Sequence, residues 1–167
     1  MKHISLGPQL RIGYPIGHSI RDSIGYIDKV ADILRPLILD KTVVLWVRGS
    51  SGAMLSALLA KSLSNPVIIN HVKKEGEHSH GFRPFYAFSG HINILLDDFC
   101  RSGETLEEIW KVAKEAGLMT VDYLIIANMS DSLELPFSFI PEVLICDDEC
   151  KTLNLLKSIL APIKSAK

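Results

Sequence analysis

The chain has 167 residues, with 18 basic against 19 acidic side chains and a formal net charge of -1. Apolar residues make up 47% and charged residues 22%, an ordinary globular balance with enough chain for one domain spanning 1–167. Near-neutrality excludes a global attraction to nucleic acid or anionic membrane, and no apolar run approaches the roughly 20 residues needed to cross a bilayer. Neither partner is expected. Three cysteines, Cys100, Cys146 and Cys150, are too few for a disulfide framework and fit a reducing compartment. The first residues, MKHISLGPQLRIGYPIGHS, are broken by prolines, glycines and Arg11 and contain no apolar signal core. A cytoplasmic location is the expectation.

In chain order, residues 1–21 read as an irregular arm or short strands. Ile24, Ile27, Val30, Ala31, Leu34 and Ile38 have helical spacing and predict a helix over Ser23–Leu39, capped by Asp22 or Ser23. Pro36 is expected to end or bend it near Arg35. Thr42–Val47 is a short β-branched run suited to a strand buried on both faces. A loop, Arg48-Gly-Ser-Ser-Gly52, then leads into a helix over Ala53–Ser62. Pro66–Val72 is the next strand, and His71–Pro84 a long polar loop. His91–Leu96 is a strand and Glu104–Ala116 a helix, with Leu106, Ile109, Trp110 and Ala113 on one face and Gly117 as its stop. Val121–Ala127 and Val143–Cys146 complete the strands, with a proline-flanked loop between them, and Leu153–Leu160 forms a last helix. The alternation predicts an α/β fold: a mainly parallel twisted sheet with helices on both faces. Ligands of such sheets bind at the carboxyl ends of the strands, here the loops after Val47, Val72 and Leu96.

The segment Ile94–Leu106, ILLDDFCRSGETL, concentrates the chemistry. A buried strand delivers Asp97 and Asp98, whose oxygens accept hydrogen bonds from hydroxyls or bind a metal's water shell. Arg101-Ser-Gly-Glu-Thr105 then turns into a helix, where small residues, backbone N–H groups and two hydroxyls suit a phosphate. Leu144-Ile-Cys-Asp-Asp148 is an internal control: it also ends in two aspartates, but no glycine turn follows, and capping explains it.

Ile94–Leu106 resembles the ribose-phosphate motif of type I phosphoribosyltransferases: an apolar strand, two acids, a short variable stretch, then Ser/Thr-Gly-x-Thr. Two further segments resemble that family in the family's order. Arg48-Gly49 after a strand is similar to the pyrophosphate loop of adenine-type members. His71-Val-Lys-Lys-Glu-Gly-Glu-His-Ser-His-Gly81 is similar to the mobile loop of orotate-type members, through Lys73, Lys74, His80 and Gly81. The resemblance implies transfer of a phosphoribosyl group from phosphoribosyl diphosphate to a nitrogenous base, with magnesium as cofactor and release of pyrophosphate. It implies that Asp97 and Asp98 bind the ribose hydroxyls and, through ligand or water, the metal; that Ser102, Gly103, Glu104 and Thr105 take the 5′-phosphate; and that Arg48, Gly49, Lys73, Lys74 and His80 take the diphosphate. A variable hood from Gly7–His18 or Phe137–Val143 is implied over the base, with Phe137 or Phe139 either stacking on it or packing in the core. A homodimer follows only by analogy.

Two departures matter. Glu77 stands near the usual second lysine of the mobile loop and argues against an orotate assignment. Arg101 stands where 6-oxopurine members carry an aspartate; arginine is no general base, so ordinary hypoxanthine or guanine activity is disfavoured, and Arg101 is left to contact an anionic acceptor or effector. Both favour the alternative of a regulatory protein that binds the sugar phosphate or a nucleotide without turnover. A third reading, a metal site from His71, His78, His80 and His91, has an unusual ligand spacing.

Overall fold

The apolar runs and amphipathic segments resolve into β1 (Lys2–Ser5), α1 (Ile20–Ile38), β2 (Val43–Arg48), α2 (Gly49–Ser62), β3 (Val67–Val72), β4 (Ile92–Cys100), α3 (Glu104–Glu115), β5 (Val121–Met129) and β6 (Pro141–Cys146). They are seen in a computed structural model, which describes residues 2–5, 20–73, 90–129 and 138–146. The helix expected over 153–160, residues 74–89 and the arm over 6–19 lie outside the described residues.

The six strands form one sheet in the order β1-β6-β5-β4-β2-β3, every pair parallel. Because side chains alternate across a strand, the apolar runs feed two cores. On one face Leu45, Val47, Ile94 and Leu96 pack with Tyr26 and Leu34 of α1 and Leu55 and Leu59 of α2. On the other, Val44, Trp46, Leu95 and Leu124 pack with Leu106, Ile109 and Trp110 of α3. The chain steps from β2 outward to β3, then returns to lay β4 on the other side of β2. That reversal makes the carboxyl ends of β2 and β4 the topological switch point, where open α/β sheets leave a crevice.

Several boundaries differ from the sequence expectation, β5 running on to Met129 and β6 starting at Pro141 among them. Helix α1 starts at Ile20, which puts Asp22 and Ser23 inside it, and Ser23 is fully buried rather than a cap. Pro36 does not end the helix. It removes one backbone donor, while fully buried Ile38 and a bond from Arg35 Nη2 to the Ser62 carbonyl (2.8 Å) hold the last turn in place. Helix α2 starts at Gly49, not Ala53: Gly49 at φ 71 turns strand into helix in one residue. Gly52 then seats against Val47, where a Cβ would stand 3.3 Å from the valine Cβ. Strand β4 continues past Leu96 to Cys100. No helix among the described residues is long and apolar enough to cross a membrane.

Candidate active site

The three segments singled out by sequence follow three neighbouring strands, β3, β2 and β4, at one edge of the sheet. Arg48 is in register with Val72, so exposed Lys73 leaves β3 beside it. The ladder between β2 and β4 ends at Trp46 and Leu95, although the strands run on to Arg48 and Cys100. A gap therefore opens at the switch point, with Arg48 on one side and Asp97 on the other.

Asp97 and Asp98 stand within β4, not in a loop beyond it. The Asp97 carboxylate faces the N–H groups of Asp98 and Phe99, as an aspartate does when it folds onto its own backbone. Asp98 accordingly has no partner in the β5 ladder. Strict alternation would place Cys100 with Leu96, yet it packs in the α3 core. Asp97 is only 4% exposed. Burial first, then the charge of Asp98 and a hydrogen bond with its side chain, push the Asp97 carboxyl up to about 8, against the opposing pull of the two N–H groups. With its carboxyl pushed up, Asp97 can donate a hydrogen bond as well as accept one, beside Asp98. As a donor set they are all oxygen, which suits magnesium shared with water and phosphate. Among the described residues no three or more His, Cys, Asp or Glu side chains converge as a metal cage.

The turn that follows leaves Arg101 and Ser102 exposed and buries Gly103 at φ 80, a left-handed conformation that favours glycine. The Gly103 N–H lies against the Cys100 sulfur. Gly103 therefore contributes its conformation to the site, and the amides open to an anion are those of Glu104, Thr105 and Leu106 in the first turn of α3; the next, Glu107, bonds the Gly103 carbonyl at 2.9 Å. Glu104 is exposed and Thr105 half-buried. Burial and the charge of Asp97 push the Cys100 thiol up to about 12, so it stays protonated and unreactive at neutral pH.

Across the gap, Arg48 Nη1 is ion-paired with Glu108 Oε2 of α3. Its Nε is buried with no partner among the described residues. His71 Nε2 lies 3.2 Å from the Gly49 carbonyl. Since a carbonyl only accepts, Nε2 carries the hydrogen and fixes the β2–α2 turn to β3. Sequence reasoning missed Glu108, which reads only as one acid among several on α3, and it counted His71 both in the strand Pro66–Val72 and in the loop that follows; His71 lies in β3. The amides of Ser50 and Ser51, in the first turn of α2, were missed because that turn reads as a loop.

The remaining expectations divide. Lys74, Glu77, His78, His80, Gly81 and Phe137 lie outside the described residues. A metal site shared by His71 and His91 is overturned. His71 is level with Val47 near the carboxyl end of β2, whereas His91 precedes Ile92, which is level with Val43. At about 3.3 Å per residue they stand roughly 16 Å apart along the strands. Phe139 belongs to the core: it is 5% exposed, with its ring centroid 5.3 Å from that of Trp110, and does not stack on a base.

No protein-family model matches the sequence, and no curated protein matches it. The fold does match solved structures. A purine phosphoribosyltransferase from Pyrococcus horikoshii Ot3 aligns with a TM-score of 0.54 at 18% identity, over 89% of this chain and 90% of that one. A hypoxanthine-guanine phosphoribosyltransferase from Bacillus anthracis str. Ames Ancestor aligns with a TM-score of 0.52 at 11% identity, over 76% of this chain and 78% of that one. At these identities what is shared is the fold: the chain has the α/β fold of the purine phosphoribosyltransferases.

Proposed function

We propose that this protein is a phosphoribosyltransferase that takes phosphoribosyl diphosphate and a nitrogenous base and releases pyrophosphate. One observation carries the reading: the acid pair Asp97–Asp98 and the Gly103 turn into α3 lie at the switch point of a phosphoribosyltransferase fold, opposite Arg48. The ribose hydroxyls bond to Asp97 and Asp98. The 5′-phosphate meets the first-turn amides of α3 with the Ser102 and Thr105 hydroxyls, and the diphosphate meets Arg48 and the Gly49 turn, with Lys73, Lys74 and His80 from the following segment. In the transfer the bond from the anomeric carbon to the diphosphate oxygen breaks as a bond to the base nitrogen forms. The chain's work is to hold both reactants in line and to stabilise negative charge on the leaving group. Asp97 and Asp98 would hold magnesium through water or ligand oxygens, and the ion would supply further neutralisation of the diphosphate.

The test is calorimetry of phosphoribosyl diphosphate with magnesium, followed by pyrophosphate release with purines, pyrimidines and orotate. Purines are tried first, since the neighbouring structures are named for them. Binding with turnover is the expected result; a folded sample that binds nothing removes the reading. Exposed Arg101 inside the motif favours a second reading, a regulatory protein that binds the same ligand without turnover. Binding with no release from any acceptor would select it. The cytoplasm and a homodimer remain part of the proposal.

A further inference from the structure

Resting on that reading, we propose that His71 is a positioning residue: its imidazole holds the Gly49 carbonyl and so orders the β2–α2 turn that meets the diphosphate. His71 is in register with Val47, so its side chain leaves the sheet on the face that α2 covers. There the half-buried ring meets the start of α2, with Nε2 3.2 Å from the Gly49 carbonyl. Every residue of β3 is paired with β2, so the ring is carried on a continuous ladder. The carbonyl it holds belongs to a residue with little hold on its own conformation. Gly49 sits at φ 71, and glycine has no side chain to restrict its dihedrals.

A peptide unit is planar and trans, so its carbonyl and the next N–H point in opposite directions. Fixing the Gly49 carbonyl therefore fixes the Ser50 N–H on the other edge of the same plane. That N–H belongs to the first turn of α2, whose amides have no carbonyl partner within the helix. Arg48, at the capping position, has only donors and makes no side-chain cap bond, and the first turn carries no acid. The cap thus leaves these amides open to an anion, in the proposed reaction the diphosphate. Because the His71 bond is made without the ligand, the glycine turn meets it already ordered, and less ordering entropy is lost on binding. The ring acts through one peptide plane and contacts no ligand itself.

The experiment is calorimetry of the full chain with two separate probes, magnesium pyrophosphate and ribose 5-phosphate. His71→Gln and His71→Asn differ by a single methylene: the Gln amide reaches the place of Nε2, and the Asn amide stops short of it. His71→Asn is expected to weaken pyrophosphate binding about three- to tenfold, the net contribution of one hydrogen bond. His71→Ala should lose as much, and takes its place if the Asn chain does not fold. His71→Gln should stay within about twofold of wild type, its N–H replacing that of the ring. Ribose 5-phosphate affinity should change less than about twofold in all three, because its phosphate meets the start of α3. Wild-type pyrophosphate affinity in His71→Asn or His71→Ala overturns the inference. So does an equal loss in His71→Gln and His71→Asn, which would make the ring and not its hydrogen bond the cause. Equal losses for both probes also overturn it, because they indicate a general disturbance of the sheet edge. A wild-type protein that binds neither probe overturns this inference and the proposed function together; wild-type binding indifferent to His71 overturns this inference alone.

Discussion

The two ends of the parallel sheet treat their polar groups in opposite ways. Toward the amino end, Trp46 Nε1 donates to Asn93 Oδ1 at 3.2 Å, the Asn93 backbone N–H donates to Asp122 at 2.7 Å, and the Asn93 amide reaches the His91 carbonyl at 3.4 Å. The donor and acceptor of the Asn93 side chain are both answered there, although Asn93 is only 6% exposed. At the carboxyl end, a nearly buried Asp97 sits against a second carboxylate, and the buried Arg48 Nε has no partner among the described residues. A satisfied buried network specifies packing, and an unsatisfied one costs stability unless something else completes it. Under the proposed function, the first end serves stability and the second serves ligand binding.

Three substitutions probe that contrast. Asp98→Asn, at the carboxyl end, should weaken binding of the ribose unit by about 1.5–3 kcal/mol through loss of charge-assisted hydrogen bonds, with the melting temperature nearly unchanged. Calorimetry beside thermal melting checks it; a large loss of stability at unchanged affinity would mean that the acid only supports the local backbone. Asn93→Ala, at the amino end, should do the reverse. It leaves the buried Trp46 N–H without its acceptor and should cost about 1–3 kcal/mol in urea unfolding with no change in ligand affinity. Affinity falling with stability would break the division between the two ends.

The third probe concerns pH. The folded-state Asp97 carboxyl, at about 8, lies above its ordinary value of 3.8. Between those values the folded chain holds a proton that the unfolded chain has lost, so stability falls as pH rises through that window. The contribution is bounded by about 1.4 kcal/mol per pH unit. Ligand-free protein should therefore unfold at progressively lower urea from pH 5 to 8, and Asp97→Asn should flatten the slope. Identical slopes in the two proteins would remove Asp97 as the cause.

Much of the fold was legible locally. Val43–Val47 lies wholly buried because an apolar β-branched run tolerates no solvent face. The face of α3 that carries Leu106, Ile109, Trp110 and Ala113 is buried as its 3.6-residue period requires. The acid pair and Gly103 were legible as a motif, since their chemistry sits within one strand and one turn. What local reading misplaced were junctions. Gly49 reads as loop because glycine disfavours helix interiors, yet at the first position its positive φ makes the turn itself. Pro36 reads as a stop, yet the burial of Ile38 outweighs one lost hydrogen bond.

The covalent order of residues thus sufficed for the periodicities, the parallel α/β class and the carboxylate–glycine motif, because each depends on neighbours a few positions apart. Only the tertiary structure decided that β4 lies on the far side of β2 from β3, which puts Arg48 and Asp97 across one gap. It alone decided that Arg48 meets Glu108 and that Gly49 meets His71. Contacts between residues so far apart in the chain carry no local signature: they follow from which helix covers which face, and that is set by the packing of the whole sheet.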